Sequence, residues 1–117
     1  QRLDICEVLF DRKETFHFTI DDLSKILKTK LNANVSIATV YNTINSFKNK
    51  GYVKRISLNS EKTYFDTNVT NHHHFYNETT NELIDFNDND VEQLKLRKNL
   101  PGKKIKSIEV LVKVANK

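Results

Sequence analysis

Apolar residues in the first fifty positions recur every three or four residues, a spacing that predicts three amphipathic helices. The first helix covers residues 3–10, where the predicted apolar stripe consists of Leu3, Cys6, Leu9 and Phe10. The second begins after Thr19, whose side chain is expected to cap the helix together with the acid three positions later. The third begins after Ser36 and ends at Gly51, since glycine commonly follows the last turn of a helix. The core-facing residues of this third helix are predicted to be Val40, Ile44 and Phe47.

The periodicity changes after the third helix. Residues 52–58 and 62–65 are two short β-type segments separated by polar residues 59–61, a pattern typical of a hairpin. Three helices followed by a hairpin is the element order of a winged helix-turn-helix. We therefore predict a winged-helix DNA-binding domain over residues 1–67.

Residues 68–117 predict a smaller α/β domain. Residues 72–76 and 82–86 resemble strands that flank a turn, residues 91–99 are compatible with a short helix, and apolar residues alternate from Ile108 to Val114. About 45 residues can barely bury a core alone, so we infer a dimerisation module completed by a second copy. The predicted fold class is α+β, a winged helix-turn-helix followed by a small α/β dimerisation domain.

The composition of the chain argues against a membrane protein and against a protein stabilised by disulfides. No apolar run approaches the roughly 20 residues that a membrane-spanning helix needs, and a single cysteine excludes an internal disulfide framework or a zinc site built from four cysteines. We therefore expect a soluble, cytoplasmic protein without a membrane partner. Because the sequence begins with Gln1 rather than Met, we also expect that residues precede it.

Charge is unevenly distributed along the chain, whose formal net charge is +4. Residues 45–62 carry five basic side chains and one acid, whereas residues 77–92 carry six acids and no base. This distribution indicates that the two halves have different partners.

The third helix carries the candidate nucleic-acid contacts. Short or flat side chains that lie off its apolar stripe can contact base edges and phosphates, and basic residues follow where a wing would meet the DNA backbone. The alternative is the ordinary solvated face of a three-helix domain. The off-stripe residues are Ala38, Thr39, Tyr41, Asn42, Thr43 and Asn45, and the predicted DNA-binding residues are Ser36, Thr39, Tyr41, Asn42, Lys54 and Arg55.

Three consecutive histidines are the candidate metal ligands. In a strand His72 and His74 point to one face and His73 to the other. Asp66 and His17 are further candidates for the first face, and such a set suits zinc, iron(II) or manganese(II). The alternative to metal binding is that the histidines belong to an ordinary polar strand or occur together by chance. On the face of His73 the candidate carboxylates are Glu92 and Glu109.

Enzyme chemistry finds no support in the sequence. No nucleophile elbow, His-Glu-x-x-His helix or recognisable acid–base pair is present. Cys6 lies on the apolar stripe of the first helix, where a small buried side chain is expected rather than a redox thiol. We predict that the protein is not an enzyme.

The third helix and the histidine strand together resemble the ferric uptake regulator (Fur) family. The resemblance rests on residues 36–44, on Gly51-Tyr52-Val53 and on the three histidines, and it covers almost the whole chain. Asn42 stands where the family usually has arginine, and no Cys-x-x-Cys pair follows the histidines. These departures are similar to the iron response regulator (Irr) branch.

The resemblance implies a dimeric, metal- or haem-responsive transcription factor in which Tyr41 contacts base edges. By position, the regulatory metal site comprises His17, Asp66, His72 and His74, with Asp66 replacing the usual glutamate. A second site comprises His73, Glu92 and Glu109, with Glu109 replacing the usual histidine. Haem would be bound through His72, His73 and His74. Asn77 and Thr80 occupy the positions of zinc thiolates, so no structural four-cysteine zinc site is expected.

We therefore predict an iron- or haem-responsive regulator that binds operator DNA as a homodimer and controls iron and haem metabolism genes. Its cofactor would be a divalent metal (iron, manganese or zinc), with haem as a further candidate. The alternatives are a small metalloenzyme that uses the histidines, and a winged-helix DNA binder whose metal site is vestigial.

Overall fold

The computed structural model describes residues 1–58, 63–92 and 94–117, which form two compact units, residues 1–69 and residues 70–117. The first unit contains α1 (Arg2–Phe10), β1 (His17–Phe18), α2 (Ile20–Lys30), α3 (Ile37–Asn49), β2 (Lys54–Ser57) and β3 (Thr63–Asp66). The second contains β4 (His73–Asn77), β5 (Glu82–Phe86), the 3₁₀ turn η1 (Asp88–Asp90) and β6 (Leu111–Val114). No described helix is long and apolar enough to cross a bilayer.

Local capping chemistry sets the ends of α2 and α3. The Thr19 hydroxyl accepts the Asp22 N–H at 3.0 Å, and the Asp22 carboxylate accepts the Thr19 N–H at 3.0 Å, which completes the predicted capping box. The Ser36 hydroxyl accepts the Thr39 N–H at 3.1 Å at the start of α3. After α3 the chain reverses at Gly51, whose φ of +83° favours glycine. The predicted helix starts are confirmed.

The core of the first unit lies between the three helices and the sheet. Val40, Ile44 and Phe47 are buried as predicted. In α1, Leu9 is buried as predicted, whereas Leu3 and Phe10 are 84% and 43% exposed and Ile5, which the predicted stripe does not include, is fully buried. The buried apolar residues of this cluster are Ile5, Leu9, Phe18, Leu23, Leu27, Val40, Ile44, Phe47, Val53 and Phe65.

Two further side chains depart from prediction. Thr43, expected on the polar face of α3, is buried, because it lies one residue before Ile44 at the edge of the apolar stripe. Cys6 is half-buried and packs against the core rather than lying within it.

The wing is a three-stranded antiparallel sheet in the order β1-β3-β2. The predicted pairing of the last two strands is confirmed, with Arg55 opposite Phe65, whereas the turn predicted at residues 59–61 lies outside the described residues. Strand β1 was not predicted. Its register places His17 directly opposite Asp66.

The second unit is a mixed sheet in the order β5-β4-β6. The predicted strand–turn–strand of β4 and β5 is confirmed, and β6 pairs parallel to β4. The helix predicted over residues 91–99 is wrong, because the described residues of this segment are not helical. The short η1 turn ends just before it, at Asp90. Leu94 and Leu96 are 45% and 59% exposed, so the segment has no packing surface in the single chain to stabilise a helix.

Candidate metal centre and nucleic-acid interface

Two histidines and one aspartate converge on one face of the second unit. The antiparallel register of β4 and β5 places Asp85 opposite His74. The Asp85 Oδ1 atom lies 3.1 Å from His74 Nε2 and 3.3 Å from His72 Nε2. The side chains of His72 and His74 are only 6% and 7% exposed, whereas the aspartate side chain is 40% exposed. The cluster is thus a partly enclosed group of donor atoms within reach of solvent.

A backbone hydrogen bond fixes which nitrogen of His72 faces the cluster. The His72 Nδ1 atom lies 2.7 Å from the Thr70 carbonyl oxygen, which can only accept, so Nδ1 carries the hydrogen. In the neutral ring the lone pair of Nε2 therefore points toward the Asp85 carboxylate. Two electron-pair donors at 3.3 Å attract each other only when a proton or a metal cation lies between them.

The spacing of these atoms suits a transition metal. With metal–ligand bonds of about 2.1 Å, neighbouring ligand atoms lie about 3.4 Å apart in a tetrahedral site and about 3.0 Å apart at octahedral right angles. The observed separations of 3.1 and 3.3 Å lie between these limits. The Thr70 carbonyl also orients the His72 ring, as is usual for ligating histidines. The donor set fits zinc, iron(II) or manganese(II).

The first unit contains a separate histidine–carboxylate pair. The Nε2 atom of His17 lies 3.2 Å from the Oδ2 atom of Asp66, whose side chain is fully buried. The other oxygen of this carboxylate accepts the Asn68 N–H at 2.8 Å. His17 and Asp66, which the sequence alone suggests only as candidate ligands, are therefore brought together by the short strand β1.

His73 lies on the opposite face of β4 and has different partners. Its Nε2 atom is 2.6 Å from Asp88 Oδ1, and its Nδ1 atom accepts the Val110 N–H at 3.0 Å. Glu92 lines the cavity beside His73, whereas Glu109 does not. Within the described ranges, His73, Glu92 and Glu109 form no group whose ligand atoms converge as those of a metal site do.

The exposed face of α3 lies beside the wing. Tyr41 is 54% exposed, and it lines a cleft of about 700 Å³ together with Asn45 and Arg55. Asn42 is also exposed, whereas Lys54 is half-buried. Flat and basic side chains at one cleft are suited to contact DNA bases and phosphates.

Ser36 and Thr39 have a structural role at the start of α3. The Ser36 hydroxyl accepts the Thr39 N–H at 3.1 Å and donates to the Thr39 hydroxyl at 2.9 Å. Both side chains therefore stabilise the first turn of this helix, whatever else they contact.

Sequence reasoning missed two acids, Asp85 and Asp88. The first could have been found, because a turn over residues 78–81 pairs Asn77 with Glu82, and continuing that antiparallel register places His74 opposite Asp85. Asp88 follows β5 in an irregular turn, so no periodicity signals its contact with His73.

The structure thus combines a three-helix unit that carries wing strands with a second, mixed sheet that carries the histidine cluster. The ferric uptake regulator family profile matches residues 1–113, so this chain belongs to the ferric uptake regulator family. Members of this family are transcriptional regulators and not enzymes, in agreement with the prediction from sequence.

The chain is also similar to individual curated proteins. The peroxide-responsive repressor PerR of Staphylococcus epidermidis is 36% identical over 81 residues, which are 67% of this chain and 53% of the relative. The peroxide operon regulator of Bacillus subtilis is 36% identical over 81 residues, 67% of this chain and 55% of that protein. The chain thus spans about half the length of the curated relatives it matches.

The fold is shared with solved structures of the family. The iron-bound ferric uptake regulator of Francisella tularensis superposes with a TM-score of 0.78 at 24% identity, covering 99% of this chain and 88% of that one. The predicted α+β class, helices and wing followed by a β-sheet domain, is confirmed.

Proposed function

We propose that this protein is a metal-responsive transcriptional regulator that binds operator DNA as a homodimer. Residues 1–69 would bind DNA, and residues 70–117 would sense metal and dimerise. The observation that carries the proposal is the convergence of His72 and His74 on the Asp85 carboxylate at 3.3 and 3.1 Å.

The proposed ion is held within the second unit by His72, His74 and Asp85. The family resemblance adds His17 and Asp66 as ligands, a prediction that rests on the sequence. Within the first unit these two side chains already lie 3.2 Å apart, as two ligands of one ion would. The chain supports this prediction too, because Asp66 precedes His72 by only six residues. When bound, the ion would neutralise the carboxylates and hold the imidazole rings in place.

DNA recognition is assigned to α3 and the wing. Tyr41 would contact base edges in the major groove, with Asn42 beside it, while Lys54 and Arg55 contact phosphates. Support comes from the cleft that Tyr41 shares with Arg55, and from the half-exposed tyrosine side chain.

The dimer contact is assigned to the second unit, residues 70–117. Of the buried apolar side chains in the described residues, only Tyr76 belongs to this unit. Leu100 is 70% exposed and Ile105 is 50% exposed, so much apolar surface remains for a partner to cover. A homodimer would present two copies of α3 to two half-sites.

Two signals are candidates for what the bound metal senses. The iron response regulator resemblance favours iron or haem, with His72, His73 and His74 as haem ligands and iron and haem metabolism genes as targets. The similarity to peroxide-responsive repressors favours peroxide acting on the bound metal. Haem titration and peroxide treatment of the metal-loaded protein distinguish the two signals.

The proposal is tested on DNA selected from a random library with the Mn²⁺-loaded chain. Fluorescence anisotropy then measures the affinity for the selected DNA with Mn²⁺ and after a chelator, for the wild type and for His74→Ala. We expect the chelator to change the wild-type affinity at least tenfold and the variant affinity less than twofold. A wild-type affinity that is independent of metal would contradict metal sensing, and a failure to select any sequence would contradict operator recognition.

A further inference from the structure

His73 differs from its two neighbours in what its ring nitrogens can do. The Val110 backbone N–H can only donate, so the Nδ1 atom that it contacts at 3.0 Å must accept. In the neutral ring the hydrogen is therefore on Nε2, which lies 2.6 Å from the Asp88 carboxylate and donates to it. His72 has the opposite arrangement, with the hydrogen on Nδ1 and the lone pair on Nε2.

We infer that His73 is not a metal ligand in this chain but a hydrogen-bonded clamp that joins β4 to the η1 turn and to the segment entering β6. A metal bound at Nε2 would require the hydrogen to move to Nδ1, where it would oppose the Val110 N–H. A metal bound at Nδ1 would have to displace that N–H and leave it buried without an acceptor. Neither nitrogen is available without breaking the clamp.

The surroundings of His73 show that this exclusion is chemical rather than steric. A cavity of about 430 Å³ adjoins the ring and is lined by Asp88, Glu92 and Ile108, so an ion could reach the site. The His73 side chain is 4% exposed, and the centroid of its ring lies 5.2 Å from that of Phe86. The second metal site implied by the family resemblance does not fit these residues.

The clamp also fixes Val110, the residue before β6. Its N–H donates to His73 Nδ1, and its carbonyl accepts the His74 N–H at 3.0 Å. One residue is thus tied to the side chain of His73 and to the backbone of the proposed ligand His74. A direct hydrogen bond from Val110 therefore links the His73 side chain to the segment that enters β6.

Among the described residues, we therefore expect one metal ion to be bound per chain. This count rests on the proposed function for the ion at His72 and His74, whereas the role of His73 does not. The first test is nitrogen-edited NMR of the histidine rings in the full chain, before and after addition of Zn²⁺, with native mass spectrometry for the number of ions bound. We expect His73 to keep its hydrogen on Nε2 throughout, the signals of His72 and His74 to shift, and one Zn²⁺ to bind.

The outcomes separate the two claims. Loss of the Nε2 hydrogen from His73 on Zn²⁺ addition, its presence on Nδ1 before addition, or a second tightly bound ion that His73→Gln removes would overturn the clamp. Unchanged signals for His72 and His74 would instead contradict the proposed function and leave the clamp assignment standing on the tautomer of His73.

The second test measures how much the hydrogen bond between His73 and Asp88 contributes to the stability of the chain. Asp88→Ala should lower the melting temperature of the metal-free chain by about 3 °C or more, because a hydrogen bond to a buried ring is lost. Asp88→Asn keeps an accepting oxygen and should restore more than half of that loss. Asp90→Ala removes an exposed acid of the same turn and serves as the control. Equal melting temperatures for Asp88→Ala and Asp90→Ala would overturn the clamp.

Discussion

Asp85→Asn is the substitution that most directly probes the metal centre. The Asp85 carboxylate is the group that both His72 and His74 face, at 3.3 and 3.1 Å. Asparagine has almost the same shape but carries no charge, so packing is retained while the anionic ligand is lost. The side chain is 40% exposed, so the fold itself should tolerate the change.

The size of the effect distinguishes a ligand from an orienting group. A residue that only orients a ligand typically contributes about 10–100-fold to metal affinity. Direct ligation by a carboxylate contributes more, so we expect Asp85→Asn to weaken Zn²⁺ binding by more than about 100-fold, equivalent to more than about 2.7 kcal/mol. The distances support direct ligation, because they lie between the tetrahedral and octahedral spacings of about 3.4 and 3.0 Å.

The assay is a Zn²⁺ competition titration against a chromophoric chelator at fixed pH and salt. Asp90→Ala is the matched control, since it removes one negative charge from an exposed acid of the same unit. The control should bind Zn²⁺ within about threefold of the wild type, because a screened surface charge has little effect at a distance. An Asp85→Asn affinity within threefold of the wild type would refute the assignment of Asp85 as a ligand.

Three further substitutions test the DNA interface and the core. Tyr41→Ala should weaken binding to the selected DNA by about 1–3 kcal/mol while non-specific binding is unchanged, because base contacts carry sequence information. Anisotropy titrations measure both affinities, and Tyr52→Ala is the control because Tyr52 is equally exposed at 54%. Arg55→Ala should reduce the slope of log affinity against log salt by about 0.9, whereas Lys113→Ala in β6 should not change it. Ile44→Ala should lower the free energy of unfolding by about 2–5 kcal/mol in urea titrations, because Ile44 is fully buried; a loss below 1 kcal/mol would contradict its place in the core.

The sequence was most informative where the local chemistry determines the structure. The caps at Thr19 and Ser36 and the buried stripe from Val40 to Phe47 each follow from neighbouring residues along one helix. The alternation of the histidines likewise follows from strand geometry, which separates His73 from its neighbours.

Long-range pairing was less accessible to sequence reasoning. Strand β1 has two residues, too few for a periodic pattern, and it is recognised only by its pairing with β3. Asp88 contacts His73 from fifteen residues away through an irregular turn. Residues 91–99 were misassigned because apolar spacing alone does not show whether a packing surface exists in the single chain.

X-ray absorption at the zinc edge of the Zn²⁺-loaded chain tests the metal centre most directly, because it reports the atoms bound to the ion. We expect only nitrogen and oxygen neighbours at about 2.0–2.2 Å, with the outer-shell signature of at least two imidazoles. That signature should be lost in the double variant His72→Ala/His74→Ala. Sulfur scattering at about 2.3 Å, or a spectrum with fewer than two imidazoles, would contradict it.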